Sequence, residues 1–99
     1  MVNLDGMLSI VMPAYNEEKL IYNSIKETLR IVEKFVPELE IVVVNDGSRD
    51  NTKSEIEKAV KEDDRVRMIS STKNRGKGNA IIAGVSQVEG KYVAFVDAD

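Results

Sequence analysis

Glu-Ile-Val-Val-Val-Asn-Asp-Gly-Ser, residues 40–48, decides the fold. Ile41 to Val44 are four consecutive β-branched residues, so both faces of the strand they form are apolar. A strand apolar on both faces belongs inside a parallel sheet with helices above and below, and Asp46-Gly47-Ser48 ends it as a turn. Upstream, Ile21, Ile25, Leu29, Val32 and Val36 recur at spacings of four, four, three and four, one face of a helix that Pro37 ends. Before it, Met7 to Met12 is a short apolar strand stopped by Pro13. Asn16 is expected to cap the helix, with Glu17 and Glu18 in its first turn. Downstream, Thr52 and Glu55 have capping-box spacing and open a shorter helix through Ile56, Ala59 and Val60. Val66–Ser70 reads as a third strand and residues 76–88 as a third helix, with Gly90 as its left-handed C-terminal residue. Tyr92–Val96 is a fourth strand, and Asp97-Ala98-Asp99 follows it.

This β-α-β-α-β-α-β order with short connections predicts a three-layer α/β fold, a parallel sheet with helices on both faces. Right-handed crossovers carry the first three strands one way, and double winding returns the fourth beside the first, giving strand order 3-2-1-4. Helices one and two then share one face, and helix three covers the other. Ligands bind such sheets outside the carboxyl ends of the strands where the winding reverses, here between strands one and four. Three polar clusters converge on that crevice: residues 13–17, 45–48 and 97–99.

Composition narrows the chemistry. The chain has 99 residues, 42% hydrophobic and 31% charged, which suits at most one globular domain. Its longest run of large apolar residues, Ile41 to Val44, falls far short of the ~20 that span a bilayer. No basic, apolar leader is read. Absence of cysteine excludes disulfides and thiolate chemistry and fits a reducing cytosol. Absence of histidine removes the commonest general base and every His-dependent triad or zinc site. Fourteen basic against 17 acidic residues, a net charge of −3, exclude a global basic field for nucleic acid. Catalysis would therefore rest on carboxylates, lysine or arginine, backbone amides, or a metal held by oxygen. Neither a P-loop nor a dinucleotide Gly-x-Gly-x-x-Gly after strand one is present.

Asp97 and Asp99, two apart beyond a strand, are hard oxygen ligands suited to Mg²⁺ or Mn²⁺; the competing reading is a pair of solvated acids. Tyr15 can cover a nucleotide base and Glu17 can accept ribose hydroxyls, or they are a half-buried turn aromatic and a helix-start acid. Asp46 can accept a base N–H, and Asp50 reads as a turn or cap residue. Lys73, Arg75 and Lys77 alternate with small residues before helix three. A glycine-containing loop there exposes amides that favour phosphate, or it is a solvated basic loop.

Ser-Ile-Val-Met-Pro-Ala-Tyr-Asn-Glu-Glu (9–18), Val-Val-Val-Asn-Asp-Gly-Ser-Arg-Asp (42–50), Asn-Arg-Gly-Lys-Gly-Asn-Ala (74–80) and Val-Asp-Ala-Asp (96–99) together resemble the amino-terminal half of a family 2 glycosyltransferase with the GT-A fold. Within that family the Arg-Gly-Lys-Gly loop is most similar to synthases that load a polyprenyl phosphate with mannose or glucose. The resemblance implies a Rossmann-like half-fold and inverting transfer of a hexose from a nucleoside diphosphate sugar to an acceptor, with a lipid phosphate as one acceptor class. It implies Pro13, Ala14, Tyr15, Glu17, Asp46, Lys77 and Asp97 as nucleotide-sugar contacts, and Asp97 with Asp99 as the Mg²⁺ or Mn²⁺ site. Family members often carry two acids where this chain has Asn45-Asp46, which leaves the part of Asn45 open.

Residues 1–99 are accordingly expected to be a partial domain, truncated after the Asp-x-Asp pair, with the acceptor base beyond residue 99. A non-catalytic nucleotide-binding or self-associating fragment is the rival class. An exposed fourth strand is expected to pair with a second copy, and a proline at Ala94 to block that pairing. The expected location is cytoplasmic, with peripheral membrane attachment of a longer parent left open.

Overall fold

Alternating buried strands and amphipathic helices produce seven elements in the computed structural model, which describes residues 4–98. They are β1 (Leu8–Ala14), α1 (Ile21–Val32), β2 (Leu39–Asp46), α2 (Thr52–Glu62), β3 (Val66–Ser71), α3 (Lys77–Val85) and β4 (Tyr92–Phe95). The strands form one sheet in the order β3-β2-β1-β4, every neighbouring pair parallel. No helix among the described residues is long and apolar enough to cross a membrane.

β2 is buried at all eight positions, as its run of β-branched residues requires. Ile41 and Val43 join Ile10, Met12, Ile21, Ile25, Leu29 and Ile56 in the core between the sheet and α1 and α2. Val42 and Val44 join Val11 and Ala80 under α3 on the other face. Each large aliphatic side chain so removed from water contributes about 1.5–3 kcal/mol.

Five local expectations fail. Pro13 does not stop β1, which runs to Ala14. Val11 O accepts Val96 N–H on the β4 side, so the alternation of the ladder points Pro13 the same way, beyond the end of β4. Its missing N–H therefore removes no ladder bond. Asn16 does not cap α1. It adopts a left-handed φ of 51°, and a turn in which Leu20 and Ile21 N–H reach Glu17 O precedes the helix. The helix ends at Val32, and a closing turn delivers Val36 to the core. Thr52 and Glu55 form no capping box: Asn51 precedes the helix and the buried Thr52 hydroxyl bonds to Asp50. Gly90 is not left-handed. A Cβ there would lie 2.4 Å from Ser9 Oγ and 2.6 Å from Met7 O, so close approach to β1 excludes any larger residue.

That approach is organised by a buried acid absent from the sequence reading. Glu40 Oε2 accepts Ser9 Oγ–H (2.6 Å) and Glu89 N–H (2.8 Å), while Oε1 accepts Arg67 Nε (3.1 Å) and Nη2 (2.9 Å). Ser9 Oγ in turn accepts Gly90 N–H at 2.8 Å. Burial pushes the Glu40 carboxyl up, but Glu89 N–H, Ser9 and Arg67 together hold it below the usual carboxylate range. The network anchors the α3–β4 connection and so fixes where β4 begins.

α3 packs on β1 and β2, and Val93 and Phe95 of β4 stay exposed on the same face. Tyr92 N–H reaches Met7 O and Val96 N–H reaches Val11 O, so even-numbered amides of β4 face β1. Ala94 therefore donates inward, and the outward donors of this strand are Val93 and Phe95. A proline at Ala94 would break the sheet rather than protect its edge, which corrects that expectation.

Candidate functional site

Where β1, β2 and β4 end, the reversal of strand order opens a cleft of about 260 Å³. Pro13, Ala14, Tyr15 and Glu17 line it from the end of β1 and the loop that follows. Asp46 enters from β2, Asn74 and Lys77 from the β3–α3 loop and the start of α3, and Asp97 from beyond β4. All seven residues expected to contact nucleotide sugar thus share one cavity. Lys73 and Arg75 do not line it, and Asp99 lies outside the described residues.

Asp46 is the most constrained of these groups, only 5% exposed. Its Oδ1 accepts Arg75 N–H at 2.9 Å, and its Oδ2 accepts Gly76 N–H at 2.9 Å and Asn74 Nδ2–H at 3.1 Å. Two of the loop amides expected to cradle phosphate therefore already bind an internal carboxylate. A carboxylate offers about four acceptor positions, so one remains for a ligand. Gly47, at φ 69°, lets this segment meet the loop: a Cβ would lie 2.4 Å from Asn74 N. Asn45 has a structural part. Its Nδ2 donates to Ser70 Oγ at 2.9 Å and its Oδ1 accepts Ser48 N–H at 3.3 Å, a donor and acceptor pair that aspartate cannot supply.

Across the cleft, Lys77 Nζ pairs with Asp97 Oδ1 at 2.5 Å. Both side chains are more than half exposed, so the pair itself adds little stability and can exchange for other partners. Ala98, buried against the core, accepts the Ser24 hydroxyl through its carbonyl and holds the segment after Asp97 against α1. Tyr15 is 43% exposed, leaving ring surface for stacking. Asp50 bridges loops as a cap-like acceptor. Burial raises its carboxyl, but hydrogen bonds from Thr52 and Glu18 N–H outweigh this and hold it below the usual carboxylate range.

Among the described residues no three carboxylate or histidine groups converge as a metal cage. Mg²⁺ and Mn²⁺ do not require one, since one or two carboxylates with phosphate and water complete their shell. The accessible Asp97 carboxylate can supply one such oxygen once Lys77 exchanges it for another partner. Sequence reasoning missed Asn74 as a lining residue, although it lies in a stretch already singled out. Its place in the Asn-Arg-Gly-Lys-Gly stretch was the available signal.

A family profile described as Glycosyl transferase family 2 matches residues 9–99. The chain is 41% identical over 97 residues to a dolichyl-phosphate beta-glucosyltransferase of Trichomonas vaginalis, covering 93% of this chain and 30% of that protein. Its fold is similar to a Pyrobaculum calidifontis mannosyltransferase solved with GDP-Man and Mn²⁺: TM-score 0.80, 28% identity, 93% of this chain and 27% of that one. It is also similar to Staphylococcus aureus TarS 1–349 in complex with UDP-GlcNAc: TM-score 0.81, 32% identity, 93% and 26%. The chain therefore spans about 30% of the length of the curated relatives it matches.

Proposed function

The chain belongs to glycosyl transferase family 2, and from that premise we propose that residues 1–99 bind the nucleoside diphosphate sugar of a metal-dependent hexosyltransferase whose acceptor is a polyprenyl phosphate. The observation that carries the reading is the convergence of Pro13, Ala14, Tyr15, Glu17, Asp46, Lys77 and Asp97 on one cleft at the switch point. Tyr15 stacks on the base, flanked by Pro13 and Ala14, and the open acceptor position of Asp46 receives a base N–H. Glu17 accepts ribose hydroxyls. Lys77 exchanges Asp97 for the diphosphate, which lowers the energy of negative charge on the leaving group. Asp97, with Asp99, would hold Mg²⁺ or Mn²⁺. Such an ion neutralises charge on a departing diphosphate. The reading assigns no acceptor base to this segment.

The dolichyl-phosphate acceptor in the name of the relative supports the lipid class, and GDP-Man and UDP-GlcNAc in the similar structures support the donor class. In this reading the chain works in the cytoplasm, with a longer parent peripheral to the membrane that carries the acceptor. The exposed edge of β4 favours a second element of the proposal, pairing of two copies through Val93 and Phe95. Calorimetric titration with UDP, GDP and their hexose conjugates, with and without Mn²⁺, tests the donor reading. Metal-dependent binding is expected, and Asp97→Ala should abolish the metal dependence. No binding of any diphosphate at millimolar concentration with Mn²⁺ refutes it.

A further inference from the structure

Resting on that donor reading, we propose that Asn16, Ser48, Asp50 and Thr52 form a latch that sets the geometry of the Tyr15–Glu17 wall, making Asp50 and Thr52 positioning residues for the nucleotide. Three successive amides of the β1–α1 loop take side-chain acceptors from one neighbouring segment in place of ladder or helix carbonyls. Asn16 N–H donates to Ser48 Oγ (3.0 Å), Glu17 N–H to Thr52 Oγ1 (2.8 Å) and Glu18 N–H to Asp50 Oδ2 (3.3 Å). The segment is bound in return, since Arg49 N–H donates to Asn16 Oδ1 at 2.9 Å. Tyr15 and Glu17, the two cleft residues that flank Asn16, therefore owe their placement to side chains that do not themselves line the cleft.

The chemistry of Thr52 is specific. Its hydroxyl accepts Glu17 N–H while donating to Asp50 Oδ1 at 2.5 Å, and Asp50 Oδ1 also accepts Thr52 N–H at 2.9 Å. Only a group that donates and accepts at once closes this chain. Thr52 is fully buried, whereas Tyr15 and Asn16 are exposed, so an exposed loop is moored to a fixed point of the core. The turn being moored is a sharp one: Asn16 adopts a left-handed φ, which asparagine tolerates better than most residues that carry a side chain. The same end of β2 also holds the opposite wall, through Asp46 and the amides of Arg75 and Gly76. One segment, residues 46–52, thus sets the spacing of both walls.

The test uses the wild-type chain, Thr52→Val, Thr52→Ser and Asp50→Ala, with calorimetric titration of UDP and GDP in Mn²⁺, amide hydrogen exchange and thermal melting. Thr52→Val keeps the buried volume and loses the hydroxyl. Its amides at residues 16–18 should exchange faster, and its Kd should rise about tenfold, one hydrogen bond's worth of preorganisation. Thr52→Ser keeps the hydroxyl and loses a buried methyl. It should melt lower than wild type yet bind within about twofold of it. Asp50→Ala should behave as Thr52→Val. Affinity that follows melting temperature across the series, or unchanged exchange at residues 16–18 in Thr52→Val, overturns the latch. Faster exchange with unchanged affinity refutes the positioning role alone. A wild-type chain that binds neither nucleotide refutes the donor reading and the positioning role with it, while the exchange data still report whether the loops are tied.

Discussion

Replacing Asp46 by alanine isolates what its carboxylate does for the fold. The side chain is 5% exposed and receives three donors: the amides of Arg75 and Gly76, each at 2.9 Å, and Asn74 Nδ2 at 3.1 Å. Hydrogen bonds to a charged group contribute about 1.5–3 kcal/mol each. Arg75 and Asn74 are exposed, so water can reach the donors once the carboxylate is gone, and the lower end of that range applies. Two backbone donors at that value give a loss of about 3 kcal/mol for Asp46→Ala, the amide of Asn74 being free to turn to solvent. Asp46→Asn retains one acceptor oxygen but turns an NH₂ toward the remaining donors, and should lose about half as much. For a chain of this length 3 kcal/mol lowers the melting temperature by about 12–24 °C. Urea denaturation followed by circular dichroism measures it, with an unchanged m-value showing that the unfolded state is the same. Amide exchange at Arg75 and Gly76 should accelerate in parallel. A loss below about 0.5 kcal/mol, the scatter of ordinary surface substitutions, would show that the carboxylate does not hold this loop.

Glu40 should give the protein an acid-sensitive limb. Its folded carboxyl lies below the ordinary value, so its stabilisation is complete above the unfolded pKa of about 4.3 and is lost as pH falls through the folded one. Glu40→Gln should flatten the stability–pH curve in that acid window, and an unchanged curve refutes the assignment. At the sheet edge, light scattering should report twice the monomer mass, and Val93→Pro should return the monomer by removing an outward donor. A wild-type monomer at roughly 100 μM, with the outward amides of β4 exchanging freely, would sink the proposed pairing. Sugar transfer by residues 1–99 alone is not expected, and radiolabelled hexose on a polyprenyl phosphate above a protein-free control would contradict this.

The sequence by itself determined the order of elements, the parallel sheet and the strand order, and its motifs, through the family they resemble, pointed to seven of the cleft residues. The fold follows from short-range pattern: β-branched runs need two covered faces, the helical spacing of Ile21, Ile25 and Leu29 needs one, and right-handed crossovers with double winding return β4 beside β1. The tertiary structure decided how the polar groups are used. Asn16 and Thr52 had the right chemistry to cap their own helices, yet each is engaged by the other's loop, because the folded chain brings residues 32 to 35 apart within hydrogen-bond reach. Gly90 carried the local signature of a helix stop, but what excludes a side chain there is Ser9, 81 residues away. Nothing in the pattern around Glu40 marks it for burial, and only the assembled sheet supplies the donors that let a carboxylate be buried there. Apolar burial depends on periodicity, which a sequence displays openly. Hydrogen bonding depends on which donor and acceptor end within about 3 Å, and that distance exists only after the chain has folded.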